Sequence, residues 1–143
     1  MNSKLLFQSK ARIIGAALLT LVTVTATAEV EAKITKSFPV QPGGQLVVAV
    51  DRGAIEIKTA DRESVDIEVI RKAGGSRAKA EKTLQDHVVT TTQDGHKLEV
   101  RAEFKGEKPA GWFGRSPQLQ VKFLITLPRQ FDVDLKTAGG SVN

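Results

Sequence analysis

The chain has 143 residues, 41% hydrophobic and 26% charged, which suffices for one domain with its own core and not for two. With no cysteine it excludes a disulfide framework, a thiolate nucleophile, a cysteine zinc site and a lipid-modified N-terminal cysteine. Its formal charge of +5 invites a nucleic-acid reading, but the position of that charge argues otherwise.

Residues 1–28 have three parts: a basic start (Lys4, Lys10, Arg12), an uncharged run from Ile13 to Val24, and the small-residue site Ala26-Thr27-Ala28. This is the layout of a secretory signal peptide cleaved after Ala28. The run falls short of the roughly 20 apolar residues of a bilayer span, and Glu29 and Glu31 follow it at once, so no permanent membrane span is expected. Val30-Glu31-Ala32 offers an alternative cleavage end at residue 32. Removing residues 1–28 leaves 18 of the 21 basic residues against 16 acidic ones. No Lys/Arg cluster interleaved with aromatics remains, and no nucleic-acid partner is expected.

From residue 34 onward the dominant period is two. Ile55 and Ile57 alternate with Glu56 and Lys58, and Val65, Ile67 and Val69 with Asp66 and Glu68. Such runs put aliphatic residues on one face of a strand and charge on the other. The segment Gly74-Gly75-Ser76 breaks the period, and the helix formers from Arg77 to His87 follow, with Ser76 placed to cap and Ala80, Leu84 and Val88 on one stripe. One short helix near residues 77–87 is predicted, lying across an end or edge of the β-structure. Asp94-Gly95 reads as a hairpin turn of type I′. Longer strands come next: Leu98, Val100, Ala102 and Phe104, then Leu119, Val121, Phe123, Ile125 and Leu127, and last Phe131, Val133 and Leu135. The fold class predicted is all-β, either a sandwich or a single-stranded β-coil resembling a β-helix. Periodicity alone does not choose between the two.

The run from Phe38 to Leu46 (FPVQPGGQL), the segment Gly53-Ala54-Ile55-Glu56-Ile57, the strand Val121–Arg129 (VKFLITLPR) and the segment Asp134–Val142 resemble the putative adhesins, a family of exported bacterial β-strand-repeat domains of unknown function. The resemblance covers residues 34–143. It implies repeated strands ending in a β-coil whose turns are marked by Gly followed by alternating aliphatics. Gly53-Ala54-Ile55-Glu56 and Gly140-Ser141-Val142-Asn143 carry that mark. Stacked units need about three repeats to bury a continuous core, so the domain is expected to be incomplete at its C-terminus.

Little in the chain points to chemistry. His87 and His96 stand at a helix end and in a turn, at no metal-ligand spacing. Asp132 and Asp134 share one strand face about 7 Å apart, too few oxygens for calcium. No Gly-x-Ser-x-Gly elbow accompanies the serines. No catalytic residue, metal or cofactor is assigned. The segment Pro109–Pro117 (PAGWFGRSP) is the most informative stretch, because it holds the only Trp between two strong strands. Trp112, Phe113 and Arg115 there form a candidate partner-binding loop. The other reading is that the two rings fold back and plug an open end of the core.

Together these features predict an exported periplasmic, cell-surface or extracellular protein acting as a non-enzymatic interaction or adhesion module, with an envelope polysaccharide or surface protein as partner. A carbohydrate-active or other envelope enzyme on the same scaffold, and a structural envelope-stress protein, are the alternatives.

Overall fold

The computed structural model describes residues 28–107 and 117–143. Within these residues eight strands and one helix follow in the order β1 (Val30–Pro39), β2 (Gly44–Val50), β3 (Ala54–Ala60), β4 (Ser64–Ala73), α1 (Arg77–Asp86), β5 (His87–Asp94), β6 (Lys97–Phe104), β7 (Leu119–Pro128) and β8 (Phe131–Thr137). They form two four-stranded sheets, β1-β4-β7-β3 and β5-β6-β2-β8. The fold is an all-β sandwich.

The period of two decides what lies inside. Leu46, Val48 and Val50 of β2 and Leu98, Val100 and Ala102 of β6 face Ile55 of β3, Val65, Ile67 and Val69 of β4, and Val121, Phe123, Ile125 and Leu127 of β7 in one core drawn from both sheets. Burying each large aliphatic or aromatic side chain is worth roughly 1.5–3 kcal/mol relative to exposure. These residues therefore hold the two layers together, while the intervening Glu, Lys, Asp and Thr positions stay on the outer faces.

The two sides of the sandwich differ. On the β1/β5 side, Lys36 occupies an inward position of β1, opposite Ile67 in register, and reaches the other sheet, where its Nζ donates to Thr91 Oγ1 at 2.8 Å. Gln93 Nε2 donates to the Pro39 carbonyl at 2.8 Å. An inward-pointing charge and side-chain lacing of this kind blunt a sheet edge. On the opposite side the pairing turns parallel: β3 with β7, β2 with β6 and β2 with β8. There the chain changes sheet at each corner, from β2 to β3 through Asp51-Arg52-Gly53 and from β7 to β8 through Arg129-Gln130. Val142 then bridges Ile55 in parallel. The antiparallel side is thus a sandwich, and the parallel side carries the sheet-to-sheet winding that the coil reading expected. Val133 and Val142 keep inward parity, yet they are 41% and 48% exposed at this side of the core.

Ser76 caps α1, its hydroxyl accepting from Lys79 N at 3.4 Å. The helix buries Ala80, Thr83 and Leu84, and ion pairs Arg77–Glu81 and Lys82–Asp86 line its exposed side. Ala80 and Leu84 pack with Ala73 in a small cluster of their own, covered by Val30, Ala32 and Leu119. The helix lies against β4, β1 and β5, a cover as expected. Two details depart from the sequence reading. Val88 belongs to β5, opposite Glu103, and not to the helical stripe, because α1 stops at Asp86 and His87 is already extended. The β5–β6 hairpin pairs Asp94 with Lys97, so its central residues are Gly95 and His96. Only Gly95 has positive φ (56°), the pattern of a type II′ and not a type I′ turn.

Candidate functional site

Trp112, Phe113 and Arg115 lie outside the described residues. The frame that carries their segment is described. It connects β6, in one sheet, to β7, in the other, at the end of the sandwich covered by α1. Lys105 N donates to the Asp86 carbonyl at 2.7 Å on one side, and on the other Gly74 N donates to the Gln118 carbonyl at 3.0 Å. Gly106 sits so close to Phe104 and Asp86 that a Cβ there would approach the Asp86 Oδ2 to 2.7 Å. A shallow depression beside this base is bordered by Lys79, Lys82, Asp86, Glu107 and Pro117.

Beneath the same end lies a group of polar side chains, buried at His87 and half-buried at Asp51, Arg52 and Arg71, that the sequence did not single out as a group. Among the described residues, all but one of the buried side-chain nitrogens and oxygens without a hydrogen-bond partner belong to Asp51, Arg52, Arg71 and His87. His87 is 1% exposed, and neither ring nitrogen has a partner. Arg71 extends from β4, and its Nη1 donates to the carbonyls of Leu84 at 3.0 Å and His87 at 2.8 Å, tying the last turn of α1 to the sheet. A cation at a helix C-terminus is favourably placed against the carbonyl ends of the peptide dipoles. Asp51 Oδ2 accepts from Phe104 N at 2.8 Å, and the Arg52 guanidinium lies over the Phe104 ring, 5.2 Å from its centroid. Burial pushes the His87 imidazole below its ordinary value, with Arg71 and Arg52 acting in the same direction and Asp51 against them. Burial also lowers Arg71. The nearest signal in the sequence was the position of His87 between a helix pattern and a strand pattern.

The outer face of the β1-β4-β7-β3 sheet forms a groove floored by Leu124 and bordered by Thr35, Ser37, Glu56, Asp66 and Glu68. Its charges neutralise one another along and across the strands: Lys33 with Glu68 at 2.8 Å, and Glu56 with Lys58 on its own strand and with Lys122 on β7, both at 3.0 Å. Hydrogen bonds from Lys58 and Lys122 hold the Glu56 carboxyl below its usual range. The bond from Ser37 does the same first for Asp66, helped by Arg62 and opposed by burial. This is a solvated ladder of paired charges.

Of the other residues weighed in the sequence, His96 is exposed in the β5–β6 turn, remote in register from His87, which pairs with Phe104 at the far end of the hairpin. Asp134 pairs with Lys136 at 3.5 Å on β8. Among the described residues no three His, Asp or Glu side chains converge as metal ligands do, and no helix is long and apolar enough to cross a membrane. Ala28 immediately precedes Glu29, whose carboxylate lies 3.5 Å from Lys72 Nζ.

No family model and no curated protein matches the sequence. Solved structures that are similar at low identity include these three. A putative adhesin from Bacteroides fragilis is 14% identical over 77% of this chain and 42% of its own, with a TM-score of 0.44. A putative cell adhesion protein from Clostridium sporogenes is 13% identical over 78% of this chain and 50% of its own, with a TM-score of 0.45. A putative adhesin from Parabacteroides distasonis is 15% identical over 78% of this chain and 39% of its own, with a TM-score of 0.38. The chain spans half or less of the length of each.

Proposed function

We propose that this chain is an exported, non-enzymatic interaction module of the cell envelope, and that the connection carrying Trp112, Phe113 and Arg115 makes the contact with an envelope polysaccharide or surface protein. The observation that supports this reading is the way the connection is mounted. Its two ends are pinned by backbone hydrogen bonds to Asp86 and to Gly74, on elements that pack against both layers of the sandwich. A connection tied down at both ends loses less freedom on binding than a free one, and Trp and Arg are the residue types that concentrate binding energy at interfaces. Export rests on the three-part start of the sequence, with cleavage after Ala28.

The test is binding of the purified protein to whole cells and to isolated envelope polysaccharide. Trp112→Ala should lower affinity at least about tenfold, the loss of a modest hot spot, while leaving the circular dichroism spectrum and thermal midpoint unchanged. Unchanged binding, or an unfolded variant, refutes the contact role for Trp112. Turnover of the polysaccharide by the wild-type protein refutes the non-enzymatic reading.

A further inference from the structure

His87 stands where three structural dependencies meet. It ends α1 and begins β5, its carbonyl is one of the two that Arg71 Nη1 holds, and the preceding residue, Asp86, supplies the carbonyl that pins Lys105 at the base of the β6–β7 connection. Its ring is buried, and neither nitrogen has a hydrogen-bond partner among the described residues. A neutral imidazole in that position forgoes its hydrogen bonds, at a cost; an imidazolium there would be a buried charge with no hydrogen bond among the described residues, set between two guanidinium groups and one carboxylate, and that cost is larger. The charges around it are Arg71 from β4 and Asp51 and Arg52 from the β2–β3 corner. From β6 it faces Phe104, which brings none, and its neighbour in α1, Asp86, is committed to Lys82 at 2.9 Å.

What lies on the far side of this junction is weakly held. The helix buries only Ala80, Thr83 and Leu84, in a cluster separate from the main core. Small satellite clusters of this kind open at lower free energy than the strands of a central core.

We infer that His87 is an acid-operated latch: the neutral imidazole keeps the α1–β5 junction closed, and taking up a proton releases α1, together with the base of the β6–β7 connection, while the main sandwich stays folded. The inference does not depend on what the β6–β7 connection binds. The direction follows from linkage. Because the closed state binds the proton less readily than the open one, closure is fully favoured above the ordinary imidazole value near 6.5 and is lost as pH falls from there toward the value of the buried ring. Over that window each pH unit lowers the closed-to-open ratio about tenfold.

The experiment is amide hydrogen exchange of the full chain at pH 7.5 and pH 5.5, with each rate divided by the intrinsic rate at that pH. Opening of α1 should become more frequent at pH 5.5, by up to about tenfold, with β4 and β7 unchanged. In His87→Phe the α1 rates should be equal at the two pH values, and His96→Gln should behave like wild type. If the Phe variant does not fold, His87→Gln takes its place. Titration of the His87 imidazole by nuclear magnetic resonance in the wild-type protein needs no variant and should place it below the ordinary imidazole value. The latch is overturned if His87 titrates at or above 6.5 in the folded protein. It is equally overturned if α1 opens only together with β4 and β7, or if the pH dependence persists without His87.

Discussion

Gly53 and Gly140 lie against each other at one corner of the sandwich, so close that a Cβ on Gly140 would run into the Gly53 carbonyl. Gly53 N donates to the Gly139 carbonyl at 2.9 Å, and Ile55 N to the Ser141 carbonyl at 2.9 Å. The same offset along the chain sets Gly44 opposite Phe131 and Val50 opposite Thr137 in the paired strands β2 and β8, and Ile55 opposite Val142. The segment from β8 to Val142 therefore repeats, in register, the strand–corner–strand path from β2 to β3. The two corners can stack this closely only because Gly140 carries no side chain.

This arrangement makes Gly53 costly to replace. Its φ of 116° is rarely adopted by L-residues, and a Cβ there would meet the Val121 carbonyl at 2.8 Å. Gly43 also has positive φ (82°) but has open space around its Cβ position. Gly43→Ala should cost about 1 kcal/mol, from backbone conformation alone. Gly53→Ala should cost about 2–4 kcal/mol, adding steric displacement to strain. Urea unfolding of both variants checks the difference; equal costs would show that the corner has room to relax.

The period of two made most of this fold legible, and where it failed the reasons are physical. In β2 the run Leu46-Val47-Val48-Ala49-Val50 is apolar at every position, which hides the alternation that burial of Leu46, Val48 and Val50 reveals. In β1, Lys36 stands at an inward position and spans to Thr91, so an edge-strand charge interrupts the pattern. Val88 lies one helical turn beyond Leu84, and spacing cannot say that the chain has already become extended. Parallel pairing is a non-local outcome that no segment states by itself. For the polar end the reason is similar: the pair Asp51-Arg52, Arg71 and His87 are far apart in sequence and come together only through the corner, β4 and the helix end.

The assignment of faces can be tested on two neighbours in β4. Ile67 is 1% exposed in the core shared by both sheets, whereas Glu68 points outward to Lys33. Ile67→Asp buries a carboxylate among aliphatic side chains and should abolish cooperative folding. Glu68→Ala removes one surface ion pair and should cost at most about 1 kcal/mol. Thermal unfolding followed by circular dichroism distinguishes them, and similar tolerance of both changes would mean that the core is wrongly placed.

Asp66 gives a pH dependence of known sign. The Ser37 hydroxyl donates to its Oδ1 at 2.6 Å, and this bond leads the effects that hold the carboxyl below its usual range. A carboxylate favoured in the folded state adds stability above its unfolded value, near 3.9, and that stability is lost as pH falls through the folded value. Ser37→Ala should therefore raise the Asp66 value and move the acid-unfolding midpoint to higher pH. Carboxyl carbon titration by nuclear magnetic resonance reads the first effect directly; an unmoved Asp66 would assign the shift to Arg62 instead.

The last prediction concerns the two cleavage sites that the proposed signal peptide offers, which the packing of β1 distinguishes. Cleavage after Ala28 leaves the whole of β1, whose first residue Val30 pairs with Ala73 at the end of β4. Cleavage after Ala32 removes Val30 and Ala32, two of the side chains that cover Ala73, Ala80 and Leu84 beneath the helix. It also removes Glu31, which lies 3.2 Å from Lys72. Loss of one half-buried Val and one half-buried Ala should cost about 1–2 kcal/mol, and it falls on the cluster that holds α1. Intact-mass measurement of the exported protein should accordingly find Glu29 as its first residue. A chain begun at Lys33 should unfold at lower urea concentration than one begun at Glu29 and lose helical signal first. Equal stability of the two chains would remove the structural reason for preferring Ala28, a mature start at Lys33 would contradict it, and intact protein beginning at Met1 in a membrane fraction would show that the segment is an anchor and not a signal peptide.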